Sequence, residues 1–442
     1  MPTPLAGRPR PAATHHHPPT TDRSVRKAAL AALAGTSIEY YEFGVYGYLA
    51  VTIGPLFFPS ASSTASLLST LAVFGSSFLM RPLGGILLGR LGDRIGRKAV
   101  LLLTVIGMGT ATAATGLLPT HRSIGLYAAV ALLVCRLLQG FFAGGEVTGA
   151  ASYVAESSPT GRRGYYGAFT PMGVALGGAL AATAAGVVST TLTTEQMTEW
   201  GWRIPFLVSL PLVVLSLVLR SKLHDTEAFE RAKENHRLAK APLREVLTGH
   251  LAAVGKVVGL SLGQNAGYWV GLVFMNIYLT KNLGYDQTAV YWIIMTVNLV
   301  MGLLMPLWGG LSDRKGRKYV LTWGFVGYIV LVLPMMILMD QDNVLLAFLA
   351  TAVAALPFPV VQSVGYPSYA EQFPTRVRYT GLSLSFNIGT ILGGGLTPYA
   401  ATWLISATGS LLAPGWLLVA ACGIALLSLL AVRETSHTEL AS

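Results

Sequence analysis

Charge is scarce in this sequence. Asp, Glu, Lys and Arg make up 12% of its 442 residues, against about 25% in an ordinary soluble domain. So few charges cannot cover a water-facing surface of this size, which excludes a soluble globular class and a disordered one together. Cysteine is nearly absent. Cys135 and Cys422 both sit in apolar runs and imply no disulfide framework. No Gly-x-x-x-x-Gly-Lys-Ser/Thr loop occurs, so ATP drive is not supported. The nearest stretch, Gly255-Lys256, has neither the spacing nor the hydroxyl. No histidine sits in the middle of a long apolar stretch, so a carboxylate must carry any proton. His15-His16-His17 has no partner ligands nearby, and no nucleophile–base pattern appears. The chain therefore reads as no enzyme, with no cofactor and no metal site.

Apolar residues, at 52%, are what it has in excess. Twelve apolar spans follow one another at about 28–53, 65–89, 99–118, 123–152, 165–190, 203–220, 249–279, 288–310, 319–339, 344–371, 379–405 and 414–433. Each is long enough to cross about 30 Å of hydrocarbon as a helix. Backbone in lipid must satisfy its own hydrogen bonds, so an all-α membrane protein of twelve transmembrane helices is expected. Of the 31 Lys and Arg, 25 fall in the segments on one side, counting residues 1–27 and 433 onward. The other side holds only Arg122, Arg203 and Lys281. That split predicts both termini in the cytoplasm of a plasma-membrane protein. It also removes nucleic acid as a partner, because the positive charge is spread over seven segments.

The sequence repeats. Gly89-Arg90-Leu91-Gly92-Asp93-Arg94-Ile95-Gly96-Arg97-Lys98 returns as Gly309-Gly310-Leu311-Ser312-Asp313-Arg314-Lys315-Gly316-Arg317-Lys318. Ala155-Glu156 returns as Ala370-Glu371, and Gly177-Gly178 as Gly393-Gly394. Three ordered matches at nearly one offset predict two homologous six-helix halves, in parallel orientation because six is even. The expected division is a disordered tail (1–27), an N-terminal bundle (28–220), a linker loop (221–248), a C-terminal bundle (249–433) and a tail (434–442).

Charges inside lipid-crossing helices are costly and point to function. They are Glu39, Glu42, Arg81, Arg136, Glu146 and Lys256. Glu39 and Glu42, three residues apart, share a face of the first helix. Two carboxylates so close in a low dielectric cannot both ionise cheaply, which makes them a proton-binding site. Helical rise puts Arg136 near the depth of Glu42, both roughly 20 Å into their spans. The trio Glu39, Glu42 and Arg136 is expected to couple proton movement; a static ion pair between the first and fourth helices is the alternative. Tyr40, Tyr41 and Tyr46, with Tyr268 and Trp269, offer a cation–π cage for a quaternary ammonium. Gln264, Gln362 and Tyr366 lie deep in their spans, and with Gln139 they are further candidates for substrate contact. Others of the deep polar groups tie helices together.

These motifs resemble the major facilitator superfamily. The marks are the two Gly-x-x-x-Asp-Arg-x-Gly-Arg-Lys-like stretches and Arg136-Leu137-Leu138-Gln139-Gly140. The narrower resemblance is to its metabolite:proton symporters, carried by Ile38–Gly47, Arg81-Pro82-Leu83-Gly84-Gly85, Gly144-Gly145-Glu146 and Trp200–Phe206. Gly145-Glu146-Val147-Thr148-Gly149-Ala150, Phe373-Pro374-Thr375 and Arg378-Tyr379 look most like the proline/betaine osmoregulatory members. Two features depart from that pattern. Helix 1 reads Glu39-Tyr40-Tyr41-Glu42 where Glu-Trp-(Phe/Tyr)-Asp is usual, and the long coiled-coil tail of the osmosensing members is missing. The resemblance implies a monomeric symporter importing a small solute with protons by alternating access, the solute being a zwitterion such as proline or betaine. It also implies a gating network of Asp93, Arg94, Arg97 and Glu156, with Asp313, Arg314, Arg317 and Glu371 in the second copy. Organic carboxylates such as citrate, 2-oxoglutarate or shikimate are an alternative, with Arg136 or Arg81 holding the anion. Proton-coupled export is another, although span 5 lacks the Gly-Pro pair of drug antiporters.

Overall fold

The structure is a computed structural model that describes residues 22–95, 97–159, 161–221, 242–374, 377–436 and 438. The chain folds into helical crossings that we number α1 to α12. They are α1 (Asp22–Phe57), α2 (Ser63–Ile95), α3 (Arg97–Leu117), α4 (Leu126–Ser157), α5 (Arg163–Thr191) and α6 (Thr194–Val218). The second half holds α7 (Leu251–Asn282), α8 (Gln287–Lys315), α9 (Arg317–Met339), α10 (Val344–Ala370), α11 (378–408) and α12 (Ala413–Leu430). Eight are long and apolar enough to cross a bilayer by composition, and α7 makes a ninth, entered through the short helix Pro242–Gly249 at a 95° bend. Helices α1, α3 and α11 fall short of that measure. Helix α1 carries Glu39, Glu42 and four tyrosines, α3 is apolar only over Leu102–Leu117, and α11 is rich in Ser, Thr and Gly.

Helix α1 begins before the expected boundary at residue 28, because Val25 and Ala29 pack against Val154 of α4 and Tyr166 of α5. Residues 1–21 of the expected tail 1–27, and most of the linker 221–248, lie outside the described residues. Residues 434–436 do not trail away as the sequence suggested; they dock on α9, as described below.

The halves meet along two seams, α2 against α11 and α5 against α8. Glycine sets the closeness of both. A Cβ on Gly75 would lie 2.7 Å from the carbonyl oxygen of Gly395, and one on Gly164 only 2.3 Å from that of Gly309. Two crossings widen locally into π turns near mid-depth, α7 at Trp269–Phe274 and α11 at Ile391–Gly395. Such turns cluster at functional sites, and here they flank the buried aromatic centre.

Candidate substrate and proton site

Glu39 and Glu42 of α1 are buried, at 2% exposure each, yet they have different partners. Three residues of helix leave them about 60° apart around the axis, enough to aim them at different neighbours. Glu39 Oε1 pairs with Arg81 Nη2 of α2 at 3.2 Å, and that guanidinium lies over the Phe43 ring, 4.4 Å from its centroid. Glu42 instead accepts from the Thr112 hydroxyl of α3 at 2.9 Å and forms no ion pair among the described residues.

The static ion pair between α1 and Arg136, the alternative reading of these residues, is not formed among the described residues. Arg136 is fully buried; one nitrogen donates to Gln139 Oε1 and another to Ser77 Oγ at 3.2 Å. Aromatic rings cover it, with Tyr46 at 4.3 Å and Phe43 and Phe74 at 5.2 Å. Rings can neutralise part of a buried guanidinium's desolvation cost. Gln139 Nε2 in turn donates to Thr112 Oγ1 at 2.8 Å. A continuous chain of side chains thus runs Arg136, Gln139, Thr112, Glu42. Sequence reading missed Thr112 because a lone threonine in an apolar span carries no signal. Glu39, Glu42 and Glu146 also border a void of about 10 Å³, about the size that holds one water.

Three of the cage aromatics meet. Tyr268 and Trp269 lie 4.9 Å apart, and Tyr40 stacks 6.4 Å from Trp269. Phe74 and Phe78 complete the group edge-on, at 5.1 and 5.2 Å from Trp269, a contribution of α2 that the sequence did not signal. Tyr366 sits beside the Tyr40 hydroxyl and packs on Phe386 at 5.1 Å. Tyr41 does not belong to the cage. One position on along α1, it turns away and donates to the carbonyl of Pro205 at 2.6 Å. Tyr46 roofs Arg136 and donates to the Thr70 carbonyl. Gln264 and Gln362 bond each other at 2.6 Å, and Tyr369 donates to Gln264, so these amides tie α7 to α10 in this conformation.

On the face that carries the start of α1 and the end of α12, charged groups bridge the halves. Asp313 of α8 accepts from the backbone N–H groups of Gly164 and Tyr165 at 2.8 and 2.9 Å, at the start of α5 in the other half. It also accepts from Arg317 Nη1 at 2.9 Å, and Arg317 Nη2 pairs with Glu371 at 3.2 Å. Glu156 of α4 pairs with Arg378 of α11 at 3.1 Å. Arg314 is exposed and joins no ion pair among the described residues; the side chains of Asp93, Arg94 and Arg97 lie outside those residues. Arg378 was not foreseen as a member, nor were two others. Arg163 reaches Glu371 at 3.9 Å, and Glu434 accepts from the N–H groups of Arg317 and Lys318 at the start of α9. Thr435 adds a hydrogen bond to Glu371 at 2.6 Å. Burial raises the Glu434 carboxyl, but the N–H donors of Arg317, Lys318 and Ser436 outweigh it and hold the group below its ordinary 4.5.

Residues 27–256 match the family described as "Sugar (and other) transporter", and residues 257–441 match "Major Facilitator Superfamily". A proline/betaine transporter of Salmonella typhimurium is 35% identical over 428 residues, covering 95% of this chain and 85% of that one. The shikimate transporter of Escherichia coli is 34% identical over 385 residues, covering 86% and 88%. Among solved structures, the proton:xylose symporter XylE bound to 6-bromo-6-deoxy-D-glucose superposes with a TM-score of 0.72 at 17% identity, over 94% of this chain and 97% of that one. At that identity the likeness is one of fold.

Proposed function

The chain belongs to the major facilitator superfamily, a family of transporters rather than enzymes, and from that premise we propose that it imports a small zwitterion together with a proton. The observation that carries this reading is the buried chain from Arg136 through Gln139 and Thr112 to Glu42. A buried carboxylate with one hydroxyl donor and no cation in contact is far costlier than the neutral acid. Glu42 is thus the group that gains and loses the proton. Thr112 has one hydrogen to give and two acceptors in reach, Glu42 Oε2 at 2.9 Å and the Met108 carbonyl at 3.0 Å. When Glu42 is ionised, the hydroxyl donates to it. When Glu42 is protonated, the acid donates to Thr112 and the hydroxyl turns to Met108. That exchange passes the charge state of Glu42 on to Gln139 and Arg136, beside the aromatic centre.

The termini lie on the cytoplasmic side, the split of Lys and Arg being the support. The network of Asp313, Arg317, Glu371, Glu156 and Arg378 then closes the inner face while substrate is loaded from outside. Inward movement of one positive charge gains about 2.3 kcal/mol per 100 mV, roughly 50-fold accumulation of a zwitterion. The zwitterion is drawn from the proline/betaine relatives and from the Tyr40, Tyr268 and Trp269 rings, which suit a cationic head group.

The shikimate transporter's likeness favours a second reading, symport of an organic carboxylate. Arg81 is already neutralised by Glu39 and Arg136 is roofed by rings, which weighs against it. Inhibition of uptake in proteoliposomes separates the two. Proline or glycine betaine as inhibitors support the zwitterion; strong inhibition by di- or tricarboxylates, with none by zwitterions, supports the carboxylate.

A further inference from the structure

On the face opposite the start of α1 and the end of α12, the ends of α1 and α7 and the starts of α2 and α8 enclose a cavity of about 300 Å³, a size at the lower end for small-molecule sites. Val51 and Pro55 of α1 and Leu67 of α2 give it apolar walls from the first half. Thr280 and Lys281 of α7 and Gln287 of α8 line it from the second. Pro55 is exposed, so the medium reaches the cavity directly. Lys281 is the single charged residue of the lining among the described residues. It is part-buried, and among those residues it neither pairs with a carboxylate nor donates a hydrogen bond. Asp286, at the start of α8, is taken by its own helix, accepting from the Ala289 N–H at 2.9 Å.

An ammonium held beside apolar walls is matched by an anion with an apolar body. The anion forms charge-assisted hydrogen bonds with Lys281, and the body takes Val51, Pro55 and Leu67 out of water. The second-half wall also connects to the seam between the halves. Asn276 Nδ2 of α7 and the Tyr291 hydroxyl of α8 both donate to the Tyr48 carbonyl of α1, at 3.1 and 3.2 Å. Each is one bond from the lining. The Thr280 hydroxyl donates to the Asn276 carbonyl at 2.7 Å, and Gln287 Nε2 donates to the Tyr291 hydroxyl at 2.8 Å. Opening this face parts α1 and α2 from α7 and α8, breaks the bonds at Tyr48 and pulls the cavity walls apart. A ligand that touches both walls binds the closed arrangement better, and by that difference holds it.

We propose that this cavity is a binding site for a small organic anion, a carboxylate or sulfonate with an apolar body, anchored on Lys281. Its occupation locks α1 and α2 to α7 and α8 and keeps this face shut. The site shares no lining residue with the group of Tyr40, Tyr268 and Trp269, and the inference holds whichever solute is carried.

The test sets benzenesulfonate, which stays ionised and carries no proton across a bilayer, against neutral benzenesulfonamide of the same skeleton. Binding is read as thermal stabilisation of the purified full chain. Wild type should bind the sulfonate at least about tenfold more tightly than the sulfonamide. Lys281→Gln should erase that preference, and Lys281→Arg should keep it. Val51→Trp, which fills the cavity from the first half, should remove the stabilisation altogether and stands in if Lys281→Gln fails to fold. Closure is read from Val297→Cys, a buried position further along α8 than Tyr291, in a chain whose Cys135 and Cys422 are replaced by alanine. An impermeant thiol reagent is applied to this face in proteoliposomes. Benzenesulfonate should slow the labelling several-fold, and should not do so once Lys281→Gln is added. Equal binding of the two compounds, a preference unchanged by Lys281→Gln, or labelling at the unliganded rate with the sulfonate present would each overturn the site.

Discussion

Thr112 and Tyr41 carry the sharpest contrasts at the scale of single residues. Thr112→Val keeps the volume and removes the hydroxyl that links Glu42 to Gln139. We expect counterflow exchange to persist while the pH dependence of uptake shifts, because Glu42 loses the donor that stabilises its ionised form. An unchanged pH profile would make the threonine a packing residue. Tyr41→Phe removes the bond to the Pro205 carbonyl and should cost about 1 kcal/mol of stability with KM unchanged. Trp269→Phe should raise KM several-fold, since Trp269 stands among the cage rings. Saturation kinetics on both variants checks the division. The sequence named Glu39, Glu42 and Arg136 correctly as buried charges, because a charge in a long apolar run is rare. It did not pair them, because pairing depends on helix rotation, and 60° around α1 separates the neighbourhood of α2 from that of α3.

Among the elements, carboxylates tie helix ends together, Asp313 across the halves and Glu434 within the second. Asp313, near the end of α8, takes the N–H groups at the start of α5, and Glu434 takes those at the start of α9. The Glu434 carboxyl is held below its ordinary value, so its contribution to stability is full above about 4.5 and is lost as pH falls through the lowered value. Melting temperature measured against pH should therefore drop at the acid end in wild type, and Glu434→Gln should lack that component. Identical acid limbs in the two proteins would remove Glu434 as a brace. The twelve spans were legible in the sequence, with ends that differ from the structure by several residues, as at the start of α1. The π turns of α7 and α11 and the docking of residues 434–436 were not, since each depends on contacts far away along the chain.

For the whole molecule, the charged network that bridges the halves holds one face closed. Asp313→Asn weakens acceptance from two backbone N–H groups and Arg317, a loss of about 1.5–3 kcal/mol for bonds to a charged group. The population should move toward states open on that face, read as faster labelling of cysteines introduced beneath that network. Labelling at the wild-type rate would reduce the network to a topology signal. The two parallel halves followed from the duplicated motifs; the seams between them, and the residues that bridge them such as Arg163 and Arg378, needed the fold. The central claim is that a proton on Glu42 drives solute uptake. Its most direct measurement is proline uptake into proteoliposomes under an imposed inward proton gradient, for wild type and Glu42→Gln. The account expects uphill accumulation in wild type, collapsed by a protonophore, and only downhill exchange in Glu42→Gln. Uphill accumulation by Glu42→Gln at the wild-type level would contradict it.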